Sequence, residues 1–386
     1  MIYLDACATA PLRPGVLQRM IETQDQAWAN PSSLHGFGLK ASESLERARS
    51  QIAANLCADH QDVVFTSGAT ESIHLALHGL AASCSPGRIV ISSVEHPAVS
   101  GAAHLLSMSG WDVTEWPVDQ LGRVRLELLD QLLAPPTKMV SLVWGQGEVG
   151  TIQPLLSVAD ACRSRGIPIH TDATQVMSQA LPSWKQLPVD LLSCSAHKCG
   201  GPRGIGLLMT RESHRSTLEP LFSGGGQEGG LRSGTESVVL VAGMAAALDQ
   251  IECCPPVDLA RSGQGIADLR DALRDQLLRD ERLTLCGDPK NRLPHHLSLL
   301  VSDYNGKPVS GRGLVRCLDA CGLAVSSGSA CSSGKDSDSP VLVAMGTPVT
   351  MRRSSIRISL GPWIEHKLLD EIVQRFHAGL EQALSS

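Results

Sequence analysis

Aromatic residues are scarce: six Trp, two Tyr and four Phe make up 3% of 386 residues. So few rings leave little platform for stacking single-stranded nucleic acid. They also imply a core of Leu, Val, Ile and Ala. Strong charge of one sign is missing too. The formal net charge of −6 provides no basic face for a phosphate backbone, so direct nucleic-acid binding is not expected. No apolar run reaches the roughly 20 residues that cross a bilayer; the longest, Val238–Leu248, ends at Asp249. The first residues, MIYLDACATAPLRP, hold Asp5 and no basic start ahead of an apolar stretch. They do not read as a signal peptide, and a soluble, cytoplasmic protein is expected. Neither C-x-x-C nor H-E-x-x-H occurs, so no metal site is expected. Without a secretion signal the twelve cysteines should be reduced, and eleven of them read as small apolar core filler.

What remains is a folded chain with 42% hydrophobic and 19% charged residues. Short β-rich runs at Val63–Thr66, Arg88–Ser92, Met139–Trp144, Ile167–Thr171, Leu191–Ser195 and Ile205–Thr210 alternate with amphipathic stretches at Ser72–Ala82, Ala98–Met108 and Leu155–Arg165. Such alternation predicts an α/β fold with a mainly parallel central sheet, which takes ligands at the carboxyl ends of its strands. After Ser237 the texture changes. Helical stretches at Glu236–Ile251, Leu259–Leu278, Gly313–Cys321 and Glu365–Leu384 mix with strand-like pieces at Leu297–Ser302, Leu323–Ser326 and Ser355–Leu360. This is the pattern of a smaller α+β domain. The patch Ser326–Pro340, SSGSACSSGKDSDSP, holds too little apolar surface to be rigid.

Several residues point to one chemistry. In SCSAHKCGGPRGIG (193–206), Lys198 follows a strand and precedes a glycine-rich turn. A lysine there can form a Schiff base with pyridoxal phosphate, or sit in an ordinary β-turn. Asp172, in HTDATQ (170–175), ends another strand. It can pair with a pyridine nitrogen, with Gln175 donating to the phenolic oxygen, or it can cap the following helix. FTSGATES (65–72) is a strand, a glycine turn and a helix start, whose N–H groups and Thr70 hydroxyl suit an anion. Ser195 and His197 flank the lysine and can add hydrogen bonds. His96, in VEHPA, can stack on a cofactor ring and shuttle protons, or be a loop histidine. Cys331, midway along the serine-rich patch, is a candidate nucleophile. Arg357 alternates with apolar residues in SSIRIS; it can fork onto a substrate carboxylate or lie on an edge strand in solvent.

Taken in order, these motifs resemble the NifS-like cysteine desulfurases of the class V aminotransferase, fold-type I pyridoxal-phosphate group. The resemblance runs through YLDACATAP (3–11), NPSSLHGFG (30–38), TSGATES, VEHPA, EVGTIQP (148–154), TDATQ, SAHK, GGGQE (224–228), RSGTE (232–236), SSGSAC (326–331) and SSIRISLG (354–361). It implies a large domain over 15–257 and a small domain from 1–14 and 258–386 that carries the Cys331 loop. Lys198 would form the Schiff base and then act as acid and base. Asp172, Gln175 and His96 would contact the cofactor ring, and Ala69, Thr70, Ser195 and His197 its phosphate. Thr235 would reach the phosphate of the other subunit, which implies a homodimer. Arg357 and Asn30 would bind L-cysteine. Cys331 would take its sulfur as a persulfide, release alanine and pass the sulfur to an acceptor, such as an iron–sulfur scaffold or a thio-cofactor or nucleic-acid sulfuration system. The sequence departs from the family pattern at Gln146-Gly147 (usually Asn-Asn), Ser223 (His), Gly229 (Arg) and His74 (Asn). Gly147 has no side chain to touch cofactor or substrate, and Gln146 is a possible substitute. A selenocysteine lyase or aminotransferase of the same fold, and a cofactor-impaired scaffold or sulfur relay, are the alternatives.

Overall fold

The computed structural model describes residues 1–258, 263–328 and 338–385; Cys331 lies outside the described residues. Seven strands form the main sheet: β1 (Val63–Thr66), β2 (Arg88–Ser92), β3 (Asp112–Trp116), β4 (Thr137–Val143), β5 (Ile169–Asp172), β6 (Leu191–Ser195) and β7 (Gly206–Thr210). Their order is β1-β7-β6-β5-β4-β2-β3. Neighbours run parallel except at β7, which is antiparallel to both β1 and β6. The link from β6 to β7, Ala196–Ile205, is shorter than the dozen or so residues that a parallel crossover needs, so the chain turns straight back. Gly200, at φ +76° with the Arg13 side chain packed over it, helps make that turn. The other six strands share one direction and end on one rim.

The strands are apolar runs because helices cover both faces. The helices α1 (Val16–Gln26), α2 (Gly36–Asn55), α3 (Ala69–Ala82), α4 (Pro97–Met108), α5 (Leu155–Arg163) and α6 (Val238–Leu248) belong to this layer system. Pro97 opens α4 behind its cap, His96, whose Nδ1 accepts from Ala98 N at 3.1 Å. The helix α6, VVLVAGMAAAL, is apolar nearly all round and packs against both α1 and α2.

A second sheet of order β8-β9-β11-β10 comprises β8 (Leu283–Leu285), β9 (His296–Val301), β10 (Ser326–Ser327) and β11 (Ser355–Ser359), all antiparallel. The helices α7 (Gln264–Leu277), α8 (Gly311–Ala320) and α9 (Leu369–Ser385) cover it. Its core includes Leu273, Leu297, Leu318, Ile356, Ile358 and Phe376, and Leu4 enters from the N-terminus. There Ile2–Tyr3 pairs in parallel with Leu323–Ala324.

Two expectations are corrected, and one strand was not foreseen. The strand β3, DVTEW, escapes an apolar-run reading because it is a half-exposed edge strand rich in polar residues. The piece read as one strand over Leu323–Ser326 is two, since the chain changes sheets at Val325. Among the described cysteines only Cys7, Cys162, Cys194, Cys199 and Cys286 are buried. Cys57, Cys84 and Cys253 are exposed, and Cys254, Cys317 and Cys321 half-buried, so most are not core filler. Loops and helix ends leave small apolar side chains at the surface at little cost.

Replacing Phe376, which is fully buried, by Ala is expected to remove about 3–5 kcal/mol of stability by leaving a cavity. A urea unfolding midpoint equal to that of the wild type would contradict this packing.

Candidate active site

Five strand ends deliver the candidate residues to one rim. β1 runs into Ser67–Thr70, β2 into Glu95 and His96, β4 into Gly145–Gly147, β5 into Asp172–Gln175 and β6 into Ser195–Lys198. This is where an open α/β sheet binds ligands. Lys198 Nζ donates to Cys7 O at 2.5 Å and Ala8 O at 2.7 Å. Gln175 Nε2 donates to the same Cys7 carbonyl at 3.0 Å. From the second sheet, Arg357 Nη2 meets Asp5 Oδ1 at 2.8 Å and Nη1 donates to Gly147 O at 3.0 Å. The segment 5–8 therefore holds Lys198, Gln175 and Arg357 together. It is itself fixed by Cys7 N donating to Ser359 Oγ at 2.9 Å and by Cys7 Sγ lying 3.1 Å from His295 Nε2.

Asp172 is buried, and its Oδ1 accepts from Thr174 N at 2.9 Å in a local turn; no helix follows it before Leu181, so the helix-capping role weighed for it is not what the structure shows. Beneath it His170 bridges Ser141 and Ser193. His197 Nδ1 lies 3.1 Å from Thr9 Oγ1. Ser195 faces the 67–70 turn: a Cβ on Gly68 would lie 3.6 Å from Ser195 Oγ. Ala69 and Thr70 start α3 beside it. Two expected residues stand apart from these hydrogen bonds. Asn30 and Thr235 are exposed, and among the described residues neither is hydrogen-bonded to the Lys198 cluster; Asn30 Oδ1 instead accepts from Ser32 N at 2.8 Å.

The two departures at 146–147 have different consequences. Gln146 Oε1 accepts from Glu148 N at 2.5 Å and Val149 N at 2.9 Å, while Nε2 donates to Val94 O at 3.3 Å. Its side chain is spent on its own turn, so it does not substitute for the Asn. Gly147 contributes only its carbonyl, to Arg357 and to His296 Nε2 at 3.1 Å. A Cβ there would come within 3.2 Å of Gln175 Nε2.

Electrostatics separate the buried groups into neutral and charged. Burial pushes Glu95 up to about 8 and Glu148 up to about 7. Burial pushes His170 down to about 4, and burial with Lys198 and Arg203 pushes His197 down to about 4. Burial, with Arg357, Arg270 and Lys198 adding to it, holds His295 down to about 3. With these imidazoles uncharged, Lys198 and Arg357 are the cations that face the rim, an environment suited to an anionic substrate. Sequence reasoning assigned no role to Asp5, Cys7, His295 or Glu148. The available signal was that the first two lie in YLDACATAP and the last in EVGTIQP.

A phosphorylated pyridine aldehyde fits these residues. Lys198 supplies the amine, Asp172 the carboxylate and the 67–70 turn the N–H groups. The Gln175 Nε2 gives one hydrogen to Cys7 O and keeps a second for the phenolic oxygen, while its buried Oε1, without a hydrogen-bond partner, is an acceptor left open.

The family profile "Aminotransferase class-V" matches residues 2–371. The chain is 37% identical over 386 residues to the cysteine desulfurase IscS of Vibrio vulnificus, covering 99% of this chain and 93% of that one. It superposes on a NifS-like protein with a TM-score of 0.88 at 32% identity, over 99% of both chains. A structure described as SspA in complex with cysteine gives a TM-score of 0.81 at 30% identity, covering 95% of this chain and 100% of that one.

The shifted groups set a pH optimum for stability. Folded Glu95 and Glu148 bind protons that unfolded carboxyls, at about 4.3, release, so stability rises as pH falls from about 8. Folded His170, His197 and His295 refuse protons that unfolded histidines accept below about 6.5, so stability falls from there towards pH 4. The histidines outnumber the carboxyls. A maximum in Tm at about pH 6.5 is expected in scans from about pH 5 to pH 8.5. A Tm still rising at the acid end would contradict the assignment.

Proposed function

The chain belongs to the class V aminotransferase family, and from that membership we propose that it is a pyridoxal-phosphate-dependent cysteine desulfurase. It takes L-cysteine to L-alanine and retains the sulfur as a persulfide on Cys331. One observation carries the reading: Lys198 and Arg357 are held on either side of residues 5–8, at the rim where Asp172 and Gln175 also emerge. The SspA complex with cysteine and the curated IscS relative support the same substrate.

Pyridoxal phosphate, when bound, supplies an electron sink for the substrate's amine-bearing carbon. Lys198 attaches it and then carries protons at Nζ. Asp172 would pair with the ring nitrogen and favour its protonated form, Gln175 would donate to the phenolic oxygen, and His96 would contact the ring. Ala69, Thr70, Ser195 and His197 hold the phosphate. Arg357 exchanges Asp5 for the substrate carboxylate, a swap of one carboxylate for another on the same guanidinium fork. Asn30 adds a contact to the substrate. The Cys331 sulfur attacks the substrate sulfur: an S–S bond forms as the C–S bond breaks, and a proton completes the methyl group of alanine. Thiol and cysteine thus become persulfide and alanine with atoms and electrons balanced.

The organisation follows from this reading. A large domain, 15–257, binds the cofactor, and a small domain, 1–14 with 258–386, carries Cys331. A homodimer is supported by exposed apolar side chains at Leu17, Ile21, Leu34 and the packed pair Trp28 and Phe37. Thr235 then serves the partner's phosphate. Among the described residues no helix is long and apolar enough to cross a membrane, and we place the protein in the cytoplasm, serving a sulfur-acceptor protein such as an iron–sulfur scaffold.

With L-cysteine and a dithiol reductant, equal amounts of alanine and sulfide are expected. Cys331→Ala should abolish sulfide release and keep the cofactor's visible absorption. An unchanged rate would favour aminotransfer, and lost absorption would give Cys331 a structural role. Arg357→Lys loses the bidentate fork, so KM for L-cysteine is expected to rise about 10- to 100-fold, the equivalent of one charged hydrogen bond. An unaltered KM would remove Arg357 from the substrate site.

A further inference from the structure

Two of the ion pairs outside the Lys198 cluster join the glycine-rich loop 224–236 to the strand, turn and helix that offer N–H groups to a phosphate. The first is Arg49 on α2 with Glu228. The guanidinium forks onto the carboxylate at 2.8 Å (Nη1 to Oε2) and 2.7 Å (Nη2 to Oε1). Their side chains are 9% and 1% exposed. The same pair completes the edge of the main sheet. Phe65 N donates to Glu228 Oε2 at 2.8 Å, and Arg49 Nη1 donates to Val63 O at 2.9 Å. Because β1 is an edge strand, its outward N–H and C=O groups would otherwise lack partners. Glu228 also has φ +51°, a left-handed conformation that few non-glycine residues adopt, so its backbone is held against its own preference.

The second pair lies four residues further along the loop. Arg232 Nε donates to Glu71 Oε1 at 2.9 Å, and Glu71 Oε2 accepts from Ser67 N at 2.7 Å. Glu71 stands in the first turn of α3, and Ser67 begins the glycine turn. Gln227 Oε1 accepts from Gly234 N at 2.9 Å, which braces the loop across itself just before Thr235.

We propose that Arg49–Glu228 and Arg232–Glu71 form a two-point clamp that positions the phosphate turn 67–70 and the Thr235 loop against each other. The four are positioning residues for the cofactor's phosphate, and the proposal rests on the pyridoxal-phosphate reading above. One point of the clamp fixes the strand entering the turn, and the other fixes the helix leaving it. The clamp also has an electrostatic task. A carboxylate in the first turn of α3 favours the helix but opposes a dianion bound at the same N-terminus. Arg232 neutralises it there.

This predicts a discrimination that loss of general stability would not produce. Apo protein is titrated with pyridoxal phosphate and, separately, with pyridoxal, which lacks the phosphate, by visible absorption. Arg232→Gln and Arg49→Lys are each expected to weaken pyridoxal phosphate about tenfold or more while leaving pyridoxal within about twofold, since only the phosphate meets the turn that the clamp positions. Adding Glu71→Gln to Arg232→Gln should restore most of the loss, because the uncompensated carboxylate is gone. Apo Tm is recorded alongside. Equal losses for both ligands, or a lowered Tm with unchanged affinities, would overturn the clamp as a positioning device. Wild-type protein that takes up neither ligand overturns the functional reading and the clamp with it. Wild type that binds both, with variants that bind equally well, overturns the clamp alone.

Discussion

The backbone carbonyls of Cys7 and Ala8 accept the Lys198 ammonium, and two residues earlier Asp5 accepts Arg357. This short N-terminal stretch threads between the rim of the main sheet and β11 of the second sheet. Leu4 anchors it in the second core, and Ala6 N and Cys7 N bind Ser359. It gives a lysine from one sheet and an arginine from another a common reference, beside the direct Arg357–Gly147 contact. The reaction proposed needs those two cations a fixed distance apart, because one holds the cofactor and the other the substrate carboxylate.

Around that junction the protein keeps ionised groups few. His295 and His296 are buried and His197 half-buried near Lys198 and Arg357, and burial beside cations keeps them neutral. Glu148, whose Oε1 has no hydrogen-bond partner, is pushed towards its neutral form by burial, which Ser339 and Arg357 only partly oppose. Like charges are thereby avoided where two anions, a phosphate and a carboxylate, must be drawn in. The clamp at Arg49, Glu228, Arg232 and Glu71 follows the same rule at the loop, where each carboxylate is matched by a guanidinium.

Gly147 illustrates a substitution that is absorbed by its neighbours. The missing side chain leaves room that Gln175 fills, and the carbonyl that remains gains two donors, Arg357 and His296. Gln146 is diverted into the turn by Glu148 N and Val149 N. The rim is thus built around the departure from the family pattern.

The parallel sheet was legible because strands covered on both faces must be continuous apolar runs, and because Lys198, Asp172 and the 67–70 turn follow such runs directly. The edge strand β3 was not, since a strand with one solvated side and one neighbour carries no such run. Local spacing likewise places SAHK and TDATQ at strand ends, a property of neighbours in sequence. The meeting of Asp5 with Arg357, of Cys7 with His295 and of Arg49 with Glu228 joins residues far apart in the chain. Such contacts depend on how two sheets and their helices pack, and pairwise charge complementarity in one dimension does not select among the many arginines and carboxylates available. Sequence alone therefore determined which chemistry is carried and on which kind of scaffold. Only the tertiary structure decided which residues hold that chemistry in register, because burial and distance are properties of the packed chain.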